Sequence, residues 1–217
     1  MKMYEEKEFP YFDEVRSEIV AWLPDKVEKV FEVGCGSGAT LSHIKTIGRA
    51  TWVGGIELVG DAVLAGKSNL DLLLWGSVED TEIPLEEGTL DVILYLDVLE
   101  HLVDPWATVE KMTKYLKPNG VIIASLPNVR NLKVVIPLIF NNEWKYVDCG
   151  QLDRTHLRFF TKKTAVELFQ NAGLYIDSVP TYFSKKGKAG LLNMLTFGLF
   201  STFLQGNIFV VARKLPK

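Results

Sequence analysis

The segment Val30–Gly38, with the sequence VFEVGCGSG, decides the fold, because an apolar run typical of a buried strand ends in three glycines spaced two residues apart. Glycine permits a sharp turn at positive φ, and it lets a ligand approach main-chain N–H groups that a Cβ would shield. Residues 39–47 follow with a sequence that can begin a helix. A strand, a glycine turn and a helix N-terminus together predict a binding site for a nucleotide-type cofactor.

Glycine spacing alone does not separate the cofactor classes, since Gly34, Gly36 and Ala39 also fit the G-x-G-x-x-A fingerprint of dinucleotide-binding proteins. The second run, Thr51–Glu57, supplies further information because it is rich in β-forming residues and ends in an acid. That acid lies roughly 20 residues beyond the glycines, where a carboxylate can accept hydrogen bonds from both ribose hydroxyls. The loop and Glu57 therefore predict a nucleoside-containing cofactor.

At these residues the chain resembles the class I S-adenosylmethionine-dependent methyltransferases, whose first motif looks like Glu32–Gly38 and whose ribose-binding acid falls at Glu57. The additional glycine at position 38 favours this family over a dehydrogenase. At Ser77 the chain departs from the family pattern, which often has an acid that contacts adenine. The resemblance implies S-adenosylmethionine as the cofactor, bound by Glu32, Gly34, Cys35, Gly36, Glu57, Leu58, Ser77, Val78, Leu96 and Asp97.

The alternation of strand and helix signals predicts an α/β fold with a mostly parallel sheet and helices on both faces. The resemblance implies a Rossmann-like sheet of seven strands in the order 3-2-1-4-5-7-6, with the last strand antiparallel. We expect residues 1–217 to form a single methyltransferase domain. Within it, residues 1–27 form an N-terminal helical cover and residues 127–160 an insertion, or lid, on the acceptor side.

Composition and charge narrow the choice of partners and compartment. The chain has 217 residues, a formal net charge of −3 and no basic stripe, which argues against binding to nucleic acid. Cys35 and Cys149 are not spaced as a disulfide framework, and residues 1–9 lack the apolar core of a signal peptide. We therefore expect a cytoplasmic protein that acts on a small molecule or a saccharide.

The segment Asp97–Leu102, with the sequence DVLEHL, permits two interpretations. In the first, Asp97 caps the turn and His101 packs under the cofactor. In the second, Asp97, Glu100 and His101 share a helix face by their i, i+3, i+4 spacing and bind a divalent cation. A similar acid-x-x-Glu-His arrangement occurs in ubiquinone-pathway O-methyltransferases. We adopt the first interpretation, which includes His101 in the active site and predicts no metal ion.

A second candidate lies in the segment Gln151–Thr161, QLDRTHLRFFT, which places polar groups beside two aromatic residues. This segment resembles one found in methyltransferases that modify cell-surface polysaccharides. The resemblance implies that His156 acts as the general base and that Asp153 orients it. An equally open interpretation is that Asp153 and His156 tie the loop to the sheet by hydrogen bonds.

These features predict an S-adenosylmethionine-dependent methyltransferase that acts on a small molecule or saccharide, with oxygen as the expected acceptor atom. Two alternatives stay open: a non-catalytic or membrane-associated binding module on the same fold, and an NAD(P)-dependent oxidoreductase. The module is favoured by Ser77 and by residues 189–212, which carry no charge. We expect a helix over residues 191–204, and peripheral membrane contact or a homodimer interface through residues 189–205.

Overall fold

The computed structural model describes residues 14–66, 70–181, 193, 195, 198 and 200–216. The predicted N-terminal cover falls partly outside these residues, since residues 1–13 are not among them. Residues 189–192, 194, 196, 197 and 199 of the apolar segment 189–205 also lie outside the described residues. Peripheral membrane contact or dimerisation through that segment therefore stays a prediction.

Seven strands form one sheet in the order β3-β2-β1-β4-β5-β7-β6. The pairs among β1 to β5 are parallel, whereas β7 runs antiparallel to both β5 and β6. The predicted strand order and the predicted antiparallel last strand are confirmed. The strands are β1 (Lys29–Val33), β2 (Trp52–Glu57), β3 (Leu72–Trp75), β4 (Leu90–Leu96), β5 (Leu116–Pro127), β6 (Tyr175–Ser178) and β7 (Asn207–Arg213).

Helices and short 3-10 turns connect the strands. The described α-helices are α1 (Ala39–Thr46), α2 (Gly60–Gly66), α3 (Pro105–Thr113), α4 (Leu132–Asn141), α5 (Lys162–Asn171) and α6 (Ser201–Leu204). Two 3-10 helices, Ser17–Trp22 and Leu99–His101, precede β1 and follow β4. Among the helices that the structure describes, none combines the length and the apolar character needed to cross a membrane.

The sheet is covered on both faces, because alternate side chains of each buried strand point to opposite sides. Val30 and Val92 belong to a cluster on one face that includes residues of the first 3-10 helix and of α1. Phe31 and Ile93 belong to the opposite cluster, to which α3 and α5 contribute. This arrangement confirms the predicted doubly covered sheet.

Side-chain caps fix the starts of two helices, and strand pairing fixes the start of β5. The Asp104 carboxylate accepts a hydrogen bond from Ala107 N at 2.9 Å and caps α3, and Thr161 caps α5 in a capping box with Thr164. The residues Pro118, Asn119 and Gly120 are typical of a turn after a helix, but β5 already begins at Leu116. The reason is tertiary, since Leu116 pairs with Leu90 before a register shift in β4.

The carboxyl ends of β1, β2 and β4 meet at one edge of the sheet, where the rule for open α/β sheets places the ligand. The loop after β1 is held close to this edge, because Gly34 N donates a hydrogen bond to Ile56 O at 2.8 Å. Gly34 has a φ of 71°, and a Cβ there would lie 2.6 Å from Val98 Cγ2. Only glycine therefore suits this position.

The close contact between α2 and the glycine loop provides a test of the packing at this edge. A Cβ on Gly66 would lie 2.2 Å from Ser37 O, a main-chain atom. Gly66→Ala gains roughly 1 kcal/mol of helix propensity but loses about 1–3 kcal/mol through overpacking. We expect a lower free energy of unfolding in urea denaturation. The exposed neighbour Ala65→Ser is the control, and a Gly66→Ala variant as stable as the wild type would contradict the packing.

Candidate active site

Two cavities adjoin at the carboxyl edge of the sheet, and Gly34, Glu57 and Asp97 line both. Their volumes are about 280 Å³ and about 130 Å³. All the residues that the sequence predicts for cofactor binding line one or both of these cavities. The larger holds Gly34, Glu57, Leu58, Ser77, Val78 and Asp97, and the smaller holds Glu32, Gly34, Cys35, Gly36, Glu57, Leu96 and Asp97.

The Glu57 carboxylate lies at the junction of the two cavities and is fixed by two main-chain donors. Gly36 N donates to Oε2 at 2.8 Å, and Val59 N donates to Oε1 at 2.9 Å. The first bond joins the end of β2 to the glycine loop after β1. Each carboxylate oxygen keeps a second acceptor position, so the group can accept hydrogen bonds from a pair of vicinal hydroxyls such as those of ribose.

The larger cavity has mainly apolar walls, to which Leu58, Val78 and Val103 contribute. Ser77 lies among them, and its Oγ accepts a hydrogen bond from Glu79 N at 3.2 Å. Glu79 is the nearby acid, but its carboxylate accepts hydrogen bonds from Val103 N and Asp104 N at 3.2 and 2.7 Å. Apolar walls with a few polar groups suit a flat heteroaromatic base such as adenine.

The smaller cavity is lined by groups of both charges, which suit a zwitterion. The Arg16 guanidinium provides the positive charge and the Asp97 carboxylate a negative charge, and Glu32 adds a carboxyl group that is almost fully buried. Glu32 Oε2 has no hydrogen-bond partner among the described residues. Burial raises the pKa of Glu32 to about 8, with a further contribution from Glu57, although Arg16 opposes the shift. A buried acceptor without a partner fits the ammonium group of an amino-acid ligand.

Asp97 links three distant parts of the chain beside the smaller cavity. Its carboxylate accepts hydrogen bonds from Arg16 Nη1 and, at 2.6 Å, from Asn207 Nδ2. Its main-chain N donates to Ser125 O at 3.1 Å. Asp97 has a φ of 56°, which is uncommon for a residue other than glycine. Such strain persists where the surrounding structure fixes it, and it concentrates at functional sites.

A cluster of Glu100, His101 and His156 lies beside these cavities, with His101 in the lining of the larger one. The two imidazole rings are 4.8 Å apart in an edge-on arrangement. Glu100 lies between them, with its Oε1 3.8 Å from His156 Nε2 and 4.0 Å from His101 Nε2. Burial, together with the charge of Asp97, raises the pKa of Glu100 well above its ordinary value.

His156 and Asp153 are absent from the linings of both cavities, unlike His101. The Asp153 carboxylate accepts hydrogen bonds from Thr155 N at 2.9 Å and from Thr155 Oγ1 at 2.7 Å. His156 Nδ1 lies 3.2 Å from Gln151 O. These contacts fix the turn that carries His156. In the folded chain this turn lies next to His101.

The 151–161 segment is attached to the 3-10 helix after β4 by main-chain hydrogen bonds. Leu157 N and Arg158 N both donate to Glu100 O, at 2.8 and 3.0 Å. Aromatic residues lie next to His156, with Phe159 stacked edge-on against Trp144 at 5.2 Å. The side chain of Trp144 is partly open to solvent, so this face can contact a ligand that enters beside the cluster.

Arg16 and Asn207 contact Asp97 beside the smaller cavity, and neither is predicted from the sequence. Arg16 precedes the first 3-10 helix and Asn207 begins β7, and neither belongs to a motif with recognisable spacing. Glu100 was considered only together with Asp97 as part of a cation site. The pairing of Glu100 with His156 has no signature in the sequence, because the two residues meet only through the fold.

Comparison with protein families gives a match to the family described as "Methyltransferase domain" over residues 4–179. Among curated proteins, the chain is similar to the ubiquinone biosynthesis O-methyltransferase of Pseudomonas savastanoi pv. phaseolicola. The two are 32% identical over 149 residues. That alignment covers 64% of this chain and 62% of the relative, so the chain spans less than two thirds of the relative's length.

Solved structures share the fold at low sequence identity. An S-adenosylmethionine-dependent methyltransferase from Mesorhizobium loti matches with a TM-score of 0.64 at 14% identity, covering 91% of this chain and 96% of the other. One from Aquifex aeolicus matches with a TM-score of 0.62 at 15% identity, covering 99% and 97%. These similarities agree with the observed strand order.

The elevated pKa of Glu32 makes stability depend on pH in a defined direction. Between the ordinary pKa of 4.5 and the folded value of about 8, the folded chain holds a proton that the unfolded chain has lost. The contribution of Glu32 to the free energy of unfolding therefore falls as pH rises through this window. We expect Glu32→Gln to lack this fall, so that its stability relative to the wild type increases with pH.

Urea denaturation at several pH values across that window measures the difference. The matched control is Glu87→Gln at an exposed position, which is expected to follow the wild type. Parallel profiles for Glu32→Gln and the wild type would show that Glu32 is ionised throughout in the folded, ligand-free protein.

Proposed function

This chain belongs to the methyltransferase-domain family, and on that premise we propose that it transfers a methyl group from S-adenosylmethionine to an oxygen atom of a small hydroxylated molecule or saccharide. The observation that carries the proposal is the convergence of all the predicted cofactor residues on two adjoining cavities. Glu57, at their junction, suits the ribose. The apolar wall of the larger cavity suits the adenine, and Arg16 with Glu32 suits the amino-acid end.

The protein's contribution to such a transfer is mainly alignment. S-adenosylmethionine supplies an electrophilic methyl group on a sulfonium when it is bound. Alignment of an acceptor with that group can supply about 7–11 kcal/mol of the barrier. Asp97 and its partner Arg16 hold the wall of the cavity in one arrangement, while Glu57 fixes the position of the glycine loop. The acceptor then enters from the side of the cluster that contains His101.

A hydroxyl acceptor requires a group that accepts its proton, and we assign this role to the Glu100–His101–His156 cluster. His101 lines the larger cavity, and His156 is 4.8 Å from it, ring to ring. General acid–base catalysis of this kind contributes about 10²- to 10⁴-fold. Asp153 is a positioning residue, because its carboxylate fixes the turn that carries His156 through Thr155. The name of the curated relatives, ubiquinone biosynthesis O-methyltransferase, also favours oxygen.

Several finer points belong to the same proposal. Residues 127–160, which include α4 and the aromatic pair Trp144 and Phe159, are proposed to cover the acceptor.

A cytoplasmic location is proposed because both cysteines are free thiols and Cys149 is exposed, which suits a reducing compartment. The alternatives of an NAD(P)-dependent oxidoreductase and of a non-catalytic module make different predictions about ligand binding.

The assignment of Glu57 to the ribose is tested by substitution. Glu57→Gln keeps the shape but replaces one carboxylate oxygen with an amide, whereas Glu57→Ala removes both acceptors and releases Gly36 N. We expect S-adenosylmethionine affinity to fall in Glu57→Gln and to fall further in Glu57→Ala, measured by equilibrium dialysis with labelled cofactor. Asp61→Asn, an exposed position on α2, is the control. Unchanged affinity of Glu57→Ala for S-adenosylmethionine would contradict the assignment of Glu57 to the ribose.

The role of the cluster is tested by separating chemistry from cofactor binding. His156→Ala is expected to lower kcat for methyl transfer by about 10²- to 10⁴-fold and to leave cofactor affinity nearly unchanged, because His156 does not line the two cavities. His43→Ala on α1 is the histidine control. A purely structural role for His156 would instead lower cofactor affinity and the unfolding temperature together.

The function itself is tested by incubating the full chain with S-adenosylmethionine labelled in the methyl group and a panel of phenols, polyols and saccharides. Mass spectrometry then locates the transferred methyl on oxygen, nitrogen or carbon. The proposal expects an O-methyl product from at least one acceptor class. Transfer exclusively to nitrogen or carbon would overturn the oxygen assignment, and cofactor binding without transfer to any acceptor would favour the non-catalytic module.

A further inference from the structure

The loop that follows β3 forms one wall of the larger cavity, and hydrogen bonds within the protein fix its conformation. Ser77 O accepts hydrogen bonds from Asp80 N and Thr81 N, at 3.2 and 2.8 Å. The Lys111 ammonium group, on α3, donates to Val78 O and to Thr81 O, each at 2.8 Å. Because these carbonyl oxygens are engaged with donors of the protein, recognition of a bound base depends mainly on the side chains of the loop.

Three carboxylates of the described residues line the larger cavity: Glu57, Glu79 and Asp97. Glu57 and Asp97 also line the smaller cavity, so they lie where the two cavities adjoin. The Glu79 carboxylate is bound to the residues that precede α3, because it accepts hydrogen bonds from Val103 N and Asp104 N at 3.2 and 2.7 Å. Glu79 therefore joins two loops, and the other two carboxylates belong to the junction of the cavities.

Ser77 lines the same wall with a hydroxyl group, and the loop itself uses one of its acceptor positions. Its Oγ accepts a hydrogen bond from Glu79 N at 3.2 Å, which closes a turn of the kind that serine makes with the main chain two residues on. A hydroxyl has one hydrogen to donate and two acceptor positions, so Ser77 can still accept a hydrogen bond from an amino group. The residue is only half-buried and its hydroxyl is neutral, so the absence of such a donor costs little.

A hydroxyl and a carboxylate differ in how strictly they select a ligand with an amino group. A carboxylate forms a charge-assisted hydrogen bond with an amino donor, which is roughly twice as strong as a bond between neutral groups. When the ligand lacks that donor, the carboxylate is left without its partner, and this costs more for a charged group than for a neutral one. A carboxylate therefore selects for the amino group, whereas a hydroxyl discriminates weakly.

We propose that Ser77 allows the cofactor site to bind a purine nucleoside without regard to the amino group at position 6 of its base. The inference rests on the proposed function, because it places the base of S-adenosylmethionine in the larger cavity. Affinity for the base then comes from the shape of the wall and from apolar contacts with residues such as Val78 and Leu102. Ser77 is thus a residue that determines specificity, and the site accepts cofactor analogues that lack the amino group.

The first test compares two ligands on the full, unmodified chain. S-adenosylhomocysteine and its 6-deamino analogue, which carries a hydrogen atom in place of the amino group, are titrated by calorimetry under the same conditions. The analogue keeps all the ring nitrogens of adenine, so the comparison isolates the amino group. We expect the two dissociation constants to agree within about fivefold, because a neutral hydrogen bond that water can replace contributes little.

Ser77→Asp supplies the carboxylate that the wall lacks. Aspartate makes the same kind of turn as serine, so one oxygen can accept from Glu79 N while the other faces the cavity. We expect this variant to bind S-adenosylhomocysteine more tightly than the 6-deamino analogue by about 10- to 150-fold, the range of a hydrogen bond to a charged group. Ser77→Asn, whose side-chain oxygen accepts without a charge, is expected to give a smaller preference of the same sign.

The control is Gln170→Glu, which adds a carboxylate at an exposed position on α5 and is expected to bind both ligands as the wild type does. Each variant is compared on two ligands, so a general loss of folded protein cancels in the ratio of the two affinities. A purely structural role for Ser77 would lower both affinities together and leave that ratio unchanged. If Ser77→Asp does not fold, Ser77→Asn and the wild type still carry the test.

The outcomes distinguish this inference from the proposed function. A wild-type preference for S-adenosylhomocysteine of about tenfold or more, as for a charged acceptor, would overturn the inference and leave the methyltransferase function in place. Loss of that preference in Glu79→Gln would then assign recognition of the amino group to Glu79. An unchanged ratio in both Ser77 variants would also overturn the inference, since Ser77 would not face position 6. Binding of neither ligand would contradict the proposed function itself.

Discussion

The active site depends on the position of Asp97, where three parts of the chain that are distant in sequence meet. Its carboxylate accepts hydrogen bonds from Arg16, which precedes the first 3-10 helix, and from Asn207 at the start of β7. Its main-chain N donates a hydrogen bond to Ser125 O in β5. These contacts hold a non-glycine residue at a φ of 56°. Because Asp97 lines both cavities, their shape is coupled to the positions of Arg16 and of Asn207 in the last strand.

From this position the site divides into two regions of different chemistry. Towards the glycine loop lie Glu57, Glu32 and Arg16, which suit the polar groups of S-adenosylmethionine. Towards the 3-10 helix after β4 lies the cluster of Glu100, His101 and His156, and His101 of this cluster lines the larger cavity. The two regions are separate in sequence but adjacent in space, as a direct transfer between two bound molecules requires.

The fold could be predicted from the sequence, and so could many of the residues that line the two cavities, because both depend on local patterns. The glycines of VFEVGCGSG and the acid at Glu57 belong to short motifs with fixed spacing, and the resemblance supplied the strand order. The start of β5 at Leu116 could not be predicted, since it depends on pairing with Leu90. Likewise, Arg16 and the partnership of Glu100 with His156 arise only from tertiary contacts. Residues that meet across the fold leave no periodic signal in the chain.

The most direct test of this account is a calorimetric titration of the unmodified chain with S-adenosylhomocysteine, with NAD⁺ and NADP⁺ titrated under the same conditions. The account predicts one S-adenosylhomocysteine bound per chain and no heat of binding for either dinucleotide. Preferential binding of a dinucleotide would contradict the assignment of the two cavities to S-adenosylmethionine. Binding of none of the three would contradict the claim that this edge of the sheet is a working cofactor site.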